Sequence, residues 1–270
     1  MLRKIVKKIT PSPLLGILYQ VYKLLIYRTN PKQTKPDIDL DCLAGMIAYN
    51  KFGGYCLPLN SIQRPALQAT LRGVVWEEET VEFMRKNSSG GDIIHAGMYF
   101  GDFLPGLSQA CDNDAIIWAF EPNPQNYQCA EITCLINRLQ NVNLHNAGLG
   151  HTNKTGVMNT IDYQGRSMGG SSIIIDESSD IDAAYTETIK IVSLDSVIPK
   201  DRHISLIQLD IEGYEKQALL GGMNLIKRCN PILLLENPLP DSLWLEEHIY
   251  PLGYSVTGEV QGNSILKKLS

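Results

Sequence analysis

Two short stretches, DIIHAGMYFG at residues 92–101 and AFEPNP at residues 119–124, decide how this chain folds. In the first, Ile93 and Ile94 run into a turn carrying Gly97 and Gly101; in the second, an apolar run from Ala115 to Phe120 ends on the carboxylate of Glu121. An apolar strand, a glycine loop, and an acid about 20 residues later at the end of the next strand is the pattern of a doubly wound α/β sheet that holds a nucleoside. The glycines let backbone amides approach the ligand, and the acid accepts hydrogen bonds from the ribose hydroxyls.

Working outward, strands are expected at 92–96, 115–120, 142–147, 204–209 and 232–236, with helices at about 102–111, 125–139, 215–228 and 242–250. Strand and helix alternating at this spacing give right-handed βαβ units and a parallel sheet. Two closing strands, around Tyr254 to Glu259 and Ser264 to Leu269, are separated only by Gln261, Gly262 and Asn263, which predicts an antiparallel edge. Residues 151–190 break the rhythm with a Gly-, Ser-, Thr- and Asp-rich stretch and read as an insertion forming a hairpin or lid. Upstream, a short helix beginning near residue 41, a strand or turn around Gly53 to Leu59 and a helix from Glu77 to Lys86 suggest a helical cap over residues 41–91. The expected organisation is therefore a basic arm and linker at 1–40, this cap, and an α/β domain at 92–270.

The net charge of −5 over 270 residues argues against a general nucleic-acid binder, which needs a basic face. The charge is uneven. Residues 1–35 hold eight of the 24 basic residues (Arg3, Lys4, Lys7, Lys8, Lys23, Arg28, Lys32 and Lys35) and none of the 29 acidic ones. The apolar core of this arm, Leu14 to Ile26, contains Gln20 and Lys23 and falls short of the roughly 20 apolar residues that a membrane span requires. Two readings stand side by side: peripheral contact with an anionic membrane surface, and packing on the chain's own body or a partner. Cys42, Cys56, Cys111, Cys129, Cys134 and Cys229 form no CxxC pair and no zinc spacing, so they are read as small buried hydrophobes in a reducing cytoplasm.

Ligands of open α/β sheets bind beyond the carboxyl ends of the strands. The residues leaving the later strands are Asp210, Ile211, Glu212, Gly213, Tyr214 and Glu215 after one, and Glu236 with Asn237 after the next. Burying so many acids is costly unless they bind a cation, hydroxyls or helix amides. Asp210, Glu236 and Asn237 could supply oxygen ligands to Mg²⁺, or bind substrate hydroxyls directly; the reading favoured is no tightly held metal. Ser171 and Ser172, in the small polar run Arg166 to Ser172, are expected to shape an acceptor pocket.

Read together, IIHAGMYFGDF, AFEPNP, NVNLHNAGLG (141–150), SLDSVI (193–198), LDIEGYE (209–215) and ILLLEN (232–237) resemble the FkbM family of S-adenosylmethionine-dependent methyltransferases, from about Glu77 to Leu269. The resemblance implies a class I, Rossmann-like fold of seven strands with the last antiparallel, and methylation of a hydroxyl on a sugar, glycan or polyketide-type acceptor. It implies that Gly97, Tyr99, Phe100 and Gly101 hold the methionine part, Glu121 with Pro122 and Asn123 the ribose, and Asn146 and Ala147 the adenine, with Asp210 facing the methyl group. His95 and Tyr99 depart from the family's usual acid and Asn. His95 could replace the acid, act as a general base, or be a satisfied core histidine. Candidate bases are Asp210, Glu212 and His95, with His145 and His203 behind them. Rival readings are a non-catalytic nucleotide-binding scaffold and a nicotinamide-dependent oxidoreductase, the latter disfavoured by the missing GxGxxG loop.

Overall fold

The computed structural model describes residues 45–161, 167–175 and 186–269. The readings for the basic arm, residues 1–40, and for the start of the cap lie outside them. In chain order the strands are β1 (Gly45–Asn50), β2 (Gly53–Pro58), β3 (Asp92–Ala96), β4 (Ile117–Phe120), β5 (Val142–His145), β6 (Gly148–Leu149), β7 (Lys154–Asn159), β8 (Ile173–Ile175), β9 (Thr186–Val192), β10 (Ile204–Leu209), β11 (Ile232–Glu236), β12 (Tyr254–Val260) and β13 (Asn263–Lys268). The helices are α1 (Pro65–Leu71), α2 (Glu78–Lys86), α3 (Leu104–Ser108), α4 (Pro124–Asn137), α5 (Leu194–Val197), α6 (Glu215–Gly221), α7 (Met223–Cys229) and α8 (Ser242–His248).

Seven strands form the central sheet in the order β12-β13-β11-β10-β3-β4-β5. The pairs β3–β4, β4–β5, β3–β10 and β10–β11 are parallel, whereas β13 runs antiparallel to both β11 and β12. The mostly parallel sheet with an antiparallel last strand is thus present. Its strands are apolar on both sides because both faces are covered. Ile94, Ile207, Leu233 and Leu235 face one packed layer, and Ile93, Leu206 and Leu234 face the other. Each such side chain contributes about 1.5–3 kcal/mol by leaving water. The order reverses between β3 and β10, so the tips of those two strands open the crevice where a ligand can sit.

Asp92 fixes the opposite end of β3. Although an acid, it is 1% exposed. Its carboxylate accepts the Ile116 backbone N–H (2.9 Å), the Trp118 indole N–H (2.8 Å) and Arg202 Nε (2.7 Å), which joins β3, β4 and the entry to β10.

The short helix expected from residue 41 is corrected at residues 45–50, which form β1, whereas the strand expected around Gly53 to Leu59 is present as β2; the two pair as an antiparallel hairpin. Among the described residues the first α-helix begins at Pro65. The reason is tertiary. Strand β2 is almost wholly buried and lies on α4, whose side chains satisfy its backbone: the Cys56 N–H donates to Thr133 Oγ1 (3.0 Å) and the Gly54 N–H to Asn137 Oδ1 (3.0 Å). The insertion does contain a hairpin. Strands β7 and β9 pair antiparallel, flanked by β8 and β6 in a four-stranded sheet of order β6-β9-β7-β8. The expected helix at 215–228 is interrupted at Gly222, giving α6 and α7.

Candidate active site

The tips of β3 and β10 meet backbone to backbone. The Asp210 N–H donates to the Ala96 carbonyl (3.1 Å), while the Gly97 and Met98 N–H groups donate to the Phe120 carbonyl (3.1 and 3.3 Å). Gly97 has φ of +85°, and a Cβ built on it would lie 1.9 Å from the Asp210 carbonyl oxygen, so only glycine fits. From this junction the chain opens into two adjoining spaces.

The first is a slot of about 30 Å³, lined among others by Phe120, Glu121, Pro122, Ala147, Leu149 and Ile174. Its walls are mostly apolar, with Ser172, Asp210 and Glu121 as the polar side chains; Glu121 is 4% exposed. The Glu121 carboxylate accepts the N–H groups of Tyr99 (3.1 Å) and Asn123 (2.8 Å), tying the glycine loop to the start of α4. Burial pushes this carboxyl up to about 8, against the pull of those N–H donors. Asn123 also caps α4, its Oδ1 accepting from the Gln125 and Asn126 N–H groups.

The second is a cavity of about 220 Å³ lined by Trp76, Glu77, His95, Tyr99, Asp102, Phe103, Ser171, Asp210, Glu212 and Glu236, with Arg64 as the one cation among the described residues. Asp210 and Glu236, at the tips of β10 and β11, share a hydrogen bond; burial and then the neighbouring Glu236 raise Asp210 well above its ordinary value, while burial, with the negative charge of Glu212, Glu215 and Glu77, raises Glu236 against the pull of its bond to Asp210. Two such acids hold one proton between them and titrate as a pair. Burial pushes Asp102 up to about 8. Desolvation also raises Glu77.

His95 is 2% exposed and stacks on Phe103, ring centroids 5.1 Å apart. Its Nδ1 lies 2.5 Å from Gln208 Oε1 on β10. With the amide oxygen accepting, Nδ1 carries the hydrogen and Nε2 presents a lone pair. That Nε2 is buried without a partner. Burial lowers the imidazole to about 4, so it is neutral at pH 7.

Backbone strain converges on the same cavity. Six non-glycine residues among those described have positive φ. Arg138 and Asn230 terminate helices in left-handed caps, and Gln261 sits with Gly262 in the β12–β13 turn. The other three, Glu77 (48°), Tyr99 (50°) and Glu212 (55°), all line the cavity. Strain of about 1–3 kcal/mol at each is retained where the position of the side chain matters.

A roof closes over the glycine loop. The Tyr99 hydroxyl lies 2.5 Å from Ser61 Oγ, Gln63 Nε2 donates to the Ser167 carbonyl (3.1 Å), and Asn126 Nδ2 donates to the Gly169 carbonyl (3.3 Å). The stretch between β2 and α1 therefore meets residues 167–172 above the site.

Of the residues expected from the sequence, Gly97, Tyr99, His95, Asp210, Glu212, Glu236 and Ser171 share the cavity, while Glu121, Pro122, Ala147 and Ser172 line the slot. Five stand elsewhere, among them Asn123, whose side chain caps α4. Phe100 is fully buried against Tyr55. Gly101, with φ of +81°, sits behind the loop against α4, where a Cβ would meet Leu104 and Ala130. Asn146 is spent on the Glu121 and Pro122 carbonyls (2.9 and 3.2 Å). Asn237 Oδ1 accepts from Ser264 on β13 (2.7 Å), away from both spaces. Among the described residues, no group of three or more His, Cys, Asp or Glu is arranged to hold a metal ion. Trp76, Glu77, Arg64 and Asp102 were not anticipated. Glu77 heads a predicted helix, and nothing in its spacing marks an end that reaches the sheet.

This sheet order, with the ligand crevice at the β3 and β10 tips, is the class I methyltransferase arrangement. The methyltransferase FkbM domain matches residues 95–259, more than half of the chain, and the chain belongs to that family. It is similar to the methyltransferase FkbM of Methylobacillus flagellatus (18% identity, TM-score 0.46, covering 66% of this chain and 43% of that one). It is also similar to a SAM-dependent methyltransferase of Aquifex aeolicus (14%, 0.41, 77% and 95%) and a methyltransferase of Geobacter sulfurreducens (14%, 0.42, 77% and 88%). The chain thus spans under half the length of the M. flagellatus protein. No curated protein sequence matches it significantly. Among the described residues no helix is long and apolar enough to cross a membrane.

Proposed function

We propose that this site transfers a methyl group from S-adenosylmethionine to a hydroxyl oxygen. The observation that carries the reading is the Asp210–Glu236 carboxyl pair at the strand tips, beside the Gly97 loop. The chain's residues suit the cofactor: a mostly apolar slot with Glu121 in its wall for an adenosine, a backbone cradle too tight for a Cβ, and an acidic cavity for positive charge. When bound, S-adenosylmethionine supplies an electrophilic methyl carried on a sulfonium.

Glu121 accepts from ribose hydroxyls, and Phe120, Pro122, Ala147 and Leu149 flank the adenine. Arg64 is the cation placed to receive the methionine carboxylate. Most of the acceleration comes from alignment: the tips of β3, β10 and β11 hold both reactants on a rigid sheet. With the cofactor held there, the Asp210–Glu236 pair would take the proton of the acceptor hydroxyl while the sulfur–methyl bond breaks and neutral S-adenosylhomocysteine leaves. A neighbouring carboxylate makes each member a stronger base than an isolated acid, which is what a weakly acidic hydroxyl requires. His95, neutral throughout the physiological range, offers Nε2 as a hydrogen-bond acceptor. Sugars and polyketide-type alcohols are the acceptor classes to which the family resemblance points.

Asp210→Asn tests the assignment. Turnover, followed as S-adenosylhomocysteine released, should fall about 10²–10⁴-fold, while calorimetry still detects S-adenosylmethionine binding. Full activity of this variant on the acceptor refutes the role given to the pair.

A further inference from the structure

The cavity is chemically one-sided. Five of its lining residues, Glu77, Asp102, Asp210, Glu212 and Glu236, carry carboxyl groups, and among the described residues Arg64 is the one cation. The buried lone pair of His95 Nε2, also without a partner, is one more acceptor. The Tyr99 hydroxyl is engaged with Ser61. Acceptors in excess of donors, in a space closed by a roof, call for a ligand that brings donors and positive charge.

The methyl donor does not bring enough of either. Its sulfonium and ammonium carry two positive charges and its carboxylate one negative charge, so it adds a single net positive charge. Set against five carboxyl groups, of which Asp102 holds its proton near neutral pH and the Asp210–Glu236 pair shares one, and against Arg64, that leaves the occupied site with about one negative charge to spare. Neutral hydroxyls can satisfy lone pairs but leave the charge uncompensated in a low-dielectric space.

The surplus lies on one side. Glu212 follows the β10 tip, Glu236 ends β11, and Glu77 heads α2 beside Trp76. Glu77 and Glu212 are the two acids held there on left-handed backbone. Trp76 lines this side as well and its indole hydrogen-bonds the Glu77 carboxylate, holding that acid in place at the wall.

Resting on the methyltransferase reading above, we infer that the acceptor is an amine-bearing alcohol, an amino sugar or amino alcohol, whose ammonium is received by Glu77, Glu212 and Glu236 next to Trp76. The methylated hydroxyl then lies toward Asp210. The same surplus of negative charge excludes phosphorylated and carboxylated acceptors, which would place like charges together.

The test uses the full chain saturated with S-adenosylhomocysteine and four matched probes in calorimetry: glucosamine, N-acetylglucosamine, glucose and glucose 6-phosphate. Glucosamine, with its amine protonated, should bind at least about tenfold more tightly than glucose. N-acetylglucosamine should resemble glucose, and the phosphate should bind most weakly. Glu212→Gln and, separately, Glu77→Gln should each erase most of the glucosamine preference, with retained S-adenosylhomocysteine affinity reporting an intact fold. Equal binding of glucosamine and glucose, preference for the phosphate, or binding of none of the four overturns the inference while leaving methyl transfer standing. Failure to bind S-adenosylhomocysteine sinks the methyltransferase reading itself.

Discussion

Gly97→Ala adds one methyl group where the structure allows none. The new Cβ would lie 1.9 Å from the Asp210 carbonyl oxygen, and the residue would keep a φ of +85°. The left-handed conformation alone costs about 1–2 kcal/mol in an L-residue. Relieving the clash means parting two backbone segments, because the obstacle is a carbonyl rather than the end of a flexible side chain. Overpacking of that kind costs typically 1–3 kcal/mol. The sum, about 2–5 kcal/mol, corresponds to a Tm lowered by roughly 5–15 °C for a domain of this size. Gly213→Ala is the control. Its φ is +90°, but a Cβ there meets nothing within 4 Å, so it carries the conformational cost alone. Thermal unfolding followed by circular dichroism gives the two Tm values, and calorimetry gives S-adenosylmethionine affinity. Gly97→Ala should be the more damaging in both, since it displaces the loop that faces the cofactor. If the two variants are equally mild, the close approach of β3 and β10 does not support the site.

Three further outcomes are expected. The rate should rise with pH as the Asp210–Glu236 pair gives up its proton, and this limb should vanish in Glu236→Gln; a limb that survives would assign the base elsewhere. Glu121 and Asp102 have folded values near 8, above their ordinary values of 4.5 and 3.8, so the protein without ligand binds more protons than its unfolded chain between those limits. Its stability should therefore fall as pH rises from about 4.5 to 8, with a shallower slope in Glu121→Gln; a Tm that climbs across that window contradicts the burial of these acids. Asp92→Ala leaves the Trp118 indole and Ile116 amide without their acceptor and frees Arg202, at a cost of about 3 kcal/mol. Urea titration should show the loss, with S-adenosylmethionine affinity retained, because Asp92 lies at the far end of β3 from the glycine loop.

The alternation of strands and helices from residue 92 onward was legible because it is local. Apolar runs such as those at 204–209 and 232–236 fall directly on β10 and β11. Asp210, Glu236 and Glu121 could be found because a parallel strand delivers whatever follows it to one edge of the sheet. What could not be read depends on distant partners. Gly45–Asn50 pairs as a strand because Gly53–Pro58, lying against Thr133 and Asn137 of α4, offers it an edge. Asn146 and Asn237 follow strands just as Ala147 and Glu236 do, yet their side chains are taken up by neighbouring backbone and by Ser264. The role of His95 turns on Gln208, 113 residues away in sequence and opposite it in the β3–β10 register.

The roof has a consequence for how the pocket can diversify. Arg64, Trp76 and Glu77 precede the sheet in the chain, Ser171 comes from the insertion, and only the strand tips supply the rest. The outer wall of the pocket is therefore drawn largely from segments other than the strand tips. Exchanging residues 45–91 or 151–190 between relatives can redraw what is methylated, provided that Arg64 and the slot residues Met158, Ser172 and Ile174, which those segments also supply, are kept.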